Sequence, residues 1–395
     1  MANQEMKYYG LFNDSFPPII DGVTLTVVNY AEHMEREGMN PLIVTPRNPQ
    51  AHDTSYPQLR YFSLPIWNRK PYRYGYPKLD FSIWRRLRQH KFQLVHSHSP
   101  FAAGRLAVYA SRKQGIPLIG TFHSKYRTDL EHSFRHLPWM TRIIMHRIRA
   151  FYAACDEIWI PQAKVEETVR EYGIKGKVTV VENGNDMADF AGEHPELFIR
   201  ESREKLGIAP ETLSLLFVGQ HIWEKGIGII AEALAKIDKS IDFRMDYIGT
   251  GYAAAELKQM VKRLGLEDRV HIHGSVTDRD RLMRHYAAAD LFLFPSFYDN
   301  APLVVREAAA FSTPSILLKG STASEVIEDG VNGFLTDRTP EDYATLITSL
   351  AKERARIIDA GHNARKTLVR SWADVMDEVY GHYDRILTSF RKRTV

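Results

Sequence analysis

A chain of 395 residues is too long for one ordinary hydrophobic core, so two domains of the usual size are expected. With 25% charged and 44% hydrophobic residues it is neither a disordered chain nor a fibre, and the single cysteine, Cys155, excludes an internal disulfide. The net charge of +4 is small but unevenly spread.

Taken in order, the first half alternates short apolar runs with helical patterns, as strands joined by crossover helices do. "KYYGLFN", "NPLIVTP", "FQLVHSH", "IPLIGTFH" and "DEIWIPQ" read as strands, and segments such as 26–37 and 101–114 carry apolar residues at three-to-four spacing. Between these lie basic stretches. Residues 58–79 contain Arg60, Arg69, Lys70, Arg73 and Lys78 without an acid, and residues 81–98 contain Arg85, Arg86, Arg88 and Lys91, also without one. A third stretch, "RHLPWMTRIIMHRIRAFY", places Met140, Ile144 and Ile148 on one helical face and Arg142, His146 and Arg149 on another, with Arg135 and Arg147 nearby.

Segments 58–91 and 135–149 therefore offer contact with an anionic membrane surface through basic residues, with Trp84 beside Arg85, Arg86 and Arg88 as part of it. Each cation near such a surface contributes about 1 kcal/mol, so four alone give only about millimolar binding. The competing reading is an amphipathic helix with its apolar stripe on the core and its arginines in water. The basic segments lack a recognisable nucleic-acid module, so no nucleic-acid partner is expected. Residues 1–7 are polar, without the apolar core of a signal peptide, and no run reaches the roughly 18 apolar residues of a membrane span. A cytoplasmic location is expected, with association at the inner face of the cell membrane as an option.

Residues 183–210 mix Gly, Asn, His and Pro and lack a sustained strand, which puts a domain boundary there. The expected domains are 1–187 and 205–370, with an amphipathic helix in 371–395 that carries Trp372, Val375, Val379, Tyr380 and Tyr383 and packs on either domain. In the second half "LSLLFVGQ", "DFRMDYIG", "RVHIHGS", "LFLFPS" and "PSILLKG" repeat the strand pattern. The fold class is α/β, with two doubly wound, Rossmann-like domains whose ligands sit beyond the carboxyl ends of the strands.

Three loops in the second half carry candidate chemistry. "LFVGQHIWEKGIG" sets Gly219 at a strand end and Lys225 and Gly226 ahead of a helix from about residue 227, which suits a phosphate as well as it suits a plain turn with a solvated lysine. Gly249 and Gly251 make a second glycine turn, but the following strand ends in His273 and Gly274 instead of the acid a nicotinamide dinucleotide would need. In "FPSFYDNAPLVVREAA", Asn300 reads as the cap of a helix with Pro302 in its first turn, Asp299 at its mouth and Glu307 about two turns inside. Carboxylates at both ends of a positive helix start would hold the hydroxyls of a ribose-diphosphate-sugar, or would serve merely as a cap and an ion-pair partner. "HSH" at His96 and His98 and "HIH" at His271 and His273 lack further ligands in sequence and read as structural, so no metal site is expected.

Together these stretches, with "VENGNDMADF" and the glycine loop "FPPIIDGVTLTVVNYAEHM", resemble the retaining glycosyltransferases of family 4, over nearly the whole chain. The resemblance implies the two-domain GT-B fold, two lobes facing each other across a cleft, and transfer of a hexose from a nucleoside-diphosphate sugar with retention to a lipid (diacylglycerol-like) or saccharide acceptor. It implies that Glu307 binds ribose, Asp299 the sugar and Lys225 the diphosphate, that Gly22 lets the first loop approach the donor, that His123 lies near the reacting sugar, and that Ser275 and Val276 meet the base. Gly219, Gln220, Gly249, Asn300, Ala301 and Leu303 complete the donor-binding set, and His123, Asp299 and Lys225 the catalytic one. No cofactor is implied beyond the sugar nucleotide as co-substrate, a UDP-sugar ahead of a GDP-sugar, and no metal. The chain departs from the family in having Gln220 for arginine, Asp299 for glutamate and Pro302 for glycine, which implies a shifted donor preference or reduced activity. A nucleotide-sugar epimerase of similar fold and a catalytically impaired binding or scaffold protein are the alternatives.

Overall fold

The computed structural model describes residues 6–390 apart from 67–70, 135, 186 and 188–194, so Arg69, Lys70, Arg135 and much of "VENGNDMADF" lie outside the described residues. The chain divides into two units, Met1–Gly184 with Trp372–Val395, and Asn185–Ser371.

The first unit is built on a seven-stranded parallel sheet: β1 (Tyr8–Phe12), β2 (Pro41–Pro46), β3 (Gln58–Tyr61), β6 (Phe92–Ser97), β7 (Leu118–Thr121), β8 (Glu157–Ile160) and β9 (Val178–Val180), in the order β3-β2-β1-β6-β7-β8-β9. The runs read as strands are strands because they are apolar on both faces: all six residues of β2 are buried, as a sheet covered by helices on each side requires. Helix α1 (Gly22–Arg36) turns Val27, Tyr30, Ala31 and Met34 to the core at the expected spacing, and Asp21 caps it by accepting the Thr24 N–H at 2.7 Å. Helix α3 (Ala102–Gln114) begins against Asp14, whose carboxylate accepts the Ala103 N–H at 3.0 Å and the Ser99 hydroxyl at 2.5 Å. Strand β3 and an antiparallel hairpin, β4 (Ser63–Pro65) with β5 (Arg73–Gly75), fall inside a stretch legible in sequence only as basic.

The last helix, α14 (Trp372–Ser389), belongs to this unit. Val375, Met376, Val379, Tyr383 and Ile386 bury against Tyr9, Tyr30, Ile43 and Trp159, and full burial of such side chains is worth about 1.5–3 kcal/mol each. Tyr383 stacks between Tyr9 and Trp159, at 5.7 and 5.5 Å between ring centroids. A buried acid fixes the contact from the other side: Glu157 accepts from Arg385 at 2.9 Å, Lys177 at 2.8 Å and the Trp159 indole at 3.2 Å. Burial by itself would raise the Glu157 carboxyl, but the hydrogen bonds from Lys177 and Thr179 and the Lys177 and Arg385 charges outweigh it and hold the group below the usual carboxylate range.

The second unit has six parallel strands, β10 (Leu213–Val218), β11 (Phe243–Ile248), β12 (Val270–Ile272), β13 (Leu291–Phe294), β14 (Ser315–Leu318) and β15 (Phe334–Thr336), in the order β12-β11-β10-β13-β14-β15. The chain leaves β10 to one side and returns to start β13 on the other, so the switch point where open α/β sheets hold ligands lies between these two strands. The unit starts before residue 205, because α7 (Pro195–Leu206) is part of it. Arg203 in α7 donates to the Ala288 carbonyl at 3.1 Å, the Thr212 carbonyl at 2.7 Å and Asp290 at 3.2 Å, contacts that a helix rich in both charge signs hides in sequence.

Candidate functional site

Two loops of the second unit meet at its switch point. After β10 the chain makes a short 3-10 turn, Trp223–Lys225, and enters α8 (Ile227–Leu234) through Gly226 in the left-handed region, φ 71°. A side chain at Gly226 would also overlap the carbonyl oxygen of Pro295, just past β13. The glycine thus lets the two loops interlock, and the result is an ion pair: Lys225 Nζ donates to Asp299 Oδ1 at 2.8 Å, with both side chains largely buried. The ammonium also lies 5.3 Å from the centre of the Phe294 ring.

Asp299 is held from a second direction. The Ser296 hydroxyl donates to its Oδ2 at 2.6 Å, while Ser296 Oγ accepts the backbone N–H groups of Tyr298 and Asp299 at 3.1 and 3.3 Å. Sequence reading missed Ser296, although a serine two residues past a strand and three residues before an acid is the signal of such a turn.

Helix α11 (Leu303–Ala310) starts two residues later than an Asn300 cap predicts, and Asn300 is not its cap. Pro302 holds the cap position with φ −69° and ψ 120°, and the helix has no side-chain cap. Proline is tolerated there because the residue before the first turn needs only its carbonyl, which accepts the Val305 N–H at 3.2 Å. Asn300 is buried instead in the preceding loop, and Ala301 and Leu303 are half-buried beside it. Glu307 is consequently the fifth residue of an eight-residue helix, ~6 Å along the axis from Leu303, a little over one turn instead of two.

Glu307 keeps part of its surface exposed while its carboxylate is desolvated. Burial raises it above the usual carboxylate range, against the Tyr286 hydroxyl, which donates to Oε2 at 2.6 Å, and the Arg279 charge. Both partners come from α10 (Arg279–Ala288), which sequence reading did not connect with the site. Neighbouring Arg306 turns the opposite way, donating to the Leu368 carbonyl at 2.9 Å, so it does not neutralise Glu307.

The other residues of the expected donor-binding set divide by role. Gly249, φ 138°, packs on the Gly219 carbonyl so closely that a side chain would overlap it, and the Gly219 N–H donates to the Ile248 carbonyl at 2.9 Å. These glycines therefore serve the contact between two loops of the protein itself. Gln220 is exposed. Ser275, exposed, and Val276, half-buried, follow β12 through Gly274 in the left-handed region.

In the first unit, Gly22 is the first residue of α1 and His123 follows β7. His123 ends a stack of imidazoles: His96 and His98 lie 4.2 Å apart between centroids, and His98 Nδ1 is 3.1 Å from His123 Nε2. His96 hydrogen-bonds the Tyr383 hydroxyl at 2.7 Å and the Thr121 hydroxyl at 2.6 Å, a structural role as expected for that pair. Burial lowers all three, His123 to about 4, so the stack is neutral at physiological pH.

Two doubly wound parallel sheets in tandem, with a site at the switch point of the second, define the GT-B architecture. The crystal structure of HepE from Anabaena in complex with UDP superposes with a TM-score of 0.75 at 20% identity, over 96% of this chain and all of that one. The profile of the group 1 glycosyl transferases matches residues 198–367, and that of Glycosyltransferase Family 4 matches residues 20–189. The chain belongs to this glycosyltransferase family. Among similar proteins are two alpha-monoglucosyldiacylglycerol synthases, each 25% identical: that of Streptococcus pneumoniae over 82% of this chain and 74% of its own, and that of Acholeplasma laidlawii over 86% and 87%.

Proposed function

We propose that this protein is a retaining, metal-independent hexosyltransferase that moves a sugar from a nucleoside diphosphate, UDP ahead of GDP, to a diacylglycerol-like lipid at the inner face of the cell membrane. The observation that carries it is the Lys225–Asp299 ion pair at the mouth of α11 with Glu307 one turn inside. Lys225 gives one N–H to Asp299 and keeps two for the donor's diphosphate, where a fixed positive charge stabilises the leaving group most. Asp299, oriented by Lys225 and Ser296, accepts sugar hydroxyls, and Glu307, with Oε2 engaged by Tyr286, has Oε1 for the ribose. A carboxylate bound to an ammonium and a hydroxyl is a poor nucleophile. That supports direct entry of the acceptor on the face the diphosphate leaves, its proton passing to the departing phosphate oxygen. His123, neutral, serves as a hydrogen-bonding group beside the sugar.

Lipid is favoured over a saccharide acceptor by the surface of the first unit. Among the described residues no helix is long and apolar enough to cross a membrane. The expected patches are altered in detail. Arg60, Arg73 and Arg86 are committed to backbone carbonyls, and Trp84 packs on Tyr109 at 4.7 Å with its N–H on the Pro77 carbonyl. In α5 (Pro138–Tyr152) Ile148 faces the core with Met145 and Phe151. What remains outside is Phe81, 84% exposed, with Leu79, Tyr74, Tyr76, Lys78, Arg85 and Arg88, and Trp139, 56% exposed, with Ile143, Arg142 and Arg147. Apolar side chains that insert beside cations that attract are what an anionic bilayer selects.

The experiment is incubation of the chain with UDP-glucose and diacylglycerol in anionic vesicles with EDTA present, following the anomeric protons by NMR. An α-linked glucolipid is expected. A donor altered with no acceptor present would establish an epimerase, and neither product nor nucleotide binding would leave a scaffold.

A further inference from the structure

The second unit holds another polar cluster, made of residues outside the expected donor-binding set. Asp246 on β11, His273 just past β12 and His285 on α10 each present one ligand atom, and these atoms all lie within 4.8 Å of one another. His273 Nε2 is 2.5 Å from Asp246 Oδ1, and the two imidazoles are 4.8 Å apart between centroids. Asp246 and His285 are each 2% exposed. Both ring nitrogens of His285 lack a hydrogen-bond partner among the described residues. An imidazole that gives up hydration at both nitrogens and gains nothing in return is a cost the fold carries without need, unless something else binds there. His271, the neighbour that sequence spacing pairs with His273, is outside the set.

We propose that Asp246, His273 and His285 form a binding site for a divalent transition metal of the zinc and cobalt class, tying β11, β12 and α10 together at the strand end that leads into residues 274–276. Two imidazoles and one carboxylate are the donor set such ions take, with a further position left for water on the side where His273 is half-exposed. Bonds of about 2.0–2.2 Å require ligand atoms roughly 3 Å apart, so His273 and Asp246 must separate by under about 1 Å. The ion takes the Nε2 lone pair of neutral His273, whose one proton then sits on Nδ1, and an oxygen lone pair of Asp246, so the direct His273–Asp246 hydrogen bond gives way to two bonds to the ion. Arg244, which donates to Asp246 at 2.9 and 3.0 Å, stays on the carboxylate's remaining lone pairs and orients it, as outer hydrogen bonds do for metal-bound acids, while its charge limits the affinity. The role is structural, and it stands independently of the metal-free transfer chemistry above.

The test uses the full chain stripped with EDTA and titrated with Co²⁺, then Zn²⁺. One equivalent of Co²⁺ per chain with a visible d–d band, displaced by Zn²⁺, is expected, together with a rise in Tm of about 5 °C at Zn²⁺ near 100-fold above its Kd. His285→Leu removes an unsatisfied imidazole, so without metal its Tm should equal or exceed that of the parent. It should lose the Co²⁺ band and the Zn²⁺ shift, at least 10-fold in affinity, whereas His271→Ala keeps both. Absence of a stoichiometric Co²⁺ band, or a Zn²⁺ shift that survives in His285→Leu, overturns the proposal.

Discussion

The two units use one kind of sheet and fill its strand ends in opposite ways. In the second unit the loops after β10 and β13 bring together an ammonium and a carboxylate, with a further, desolvated carboxylate one helical turn away. In the first, the ends of β6 and β7 carry three stacked imidazoles that burial keeps neutral. On the proposed function the difference teaches where charge would belong: an anionic diphosphate calls for a fixed cation, and a hexose for hydrogen bonds without a competing charge.

Four experiments would break or sharpen that contrast. Lys225→Ala should have the largest effect, lowering kcat with a UDP-sugar ~10²–10³-fold, because Asp299 is then left facing the diphosphate with its counter-charge gone. Initial rates would check it, and full activity would remove the lysine from the mechanism. For His123→Ala a fall in kcat of about 10²-fold with donor affinity kept within about twofold is expected, by kinetics and calorimetry. A large loss of affinity instead would make the imidazole a binding group.

Glu307→Gln separates function from stability. Donor affinity should drop about 10-fold or more, as the loss of charged hydrogen bonds predicts. The free protein should be no less stable near neutral pH. The sign follows from burial: a carboxyl raised on folding costs stability above its unfolded value, and that cost is relieved as pH falls or when the group is made neutral. A lower Tm for this variant would contradict it. The smallest effect is at Glu157, whose carboxyl is lowered on folding. Its contribution is present above the unfolded value and lost as pH falls through the folded one, so the Tm of the parent should decline more steeply below pH ~4.5 than that of Glu157→Gln. Parallel Tm curves would remove the acid from the stability of α14.

Much of this was legible in the sequence, for reasons that particular residues show. The ten apolar runs became strands, most of them buried on both faces and β12 at the sheet edge only half so, and Lys225, Asp299 and Glu307 stood out because they follow strand ends, where ligands bind. What was hidden depends on distance along the chain. Lys225 and Asp299 are 74 residues apart, and nothing local announces that Gly226 lets their loops interlock. Tyr286 reaches Glu307 from another helix. The basic run at 58–79 looked free because a sequence does not say that Arg60 and Arg73 spend their N–H groups on carbonyls. Pro302 moved a helix start by two residues and with it the depth of Glu307, since a pattern of caps does not rank a proline against an asparagine two positions earlier.

Because α14 closes the first unit, that unit is discontinuous in sequence and the second is an unbroken insert within it. During synthesis residues 185–371 can complete their sheet as soon as they clear the ribosome, whereas Tyr9 and Trp159 wait uncovered until Trp372–Ser389 has followed. A chain stopped before residue 372 would therefore carry a finished second unit attached to an unfinished, aggregation-prone first one.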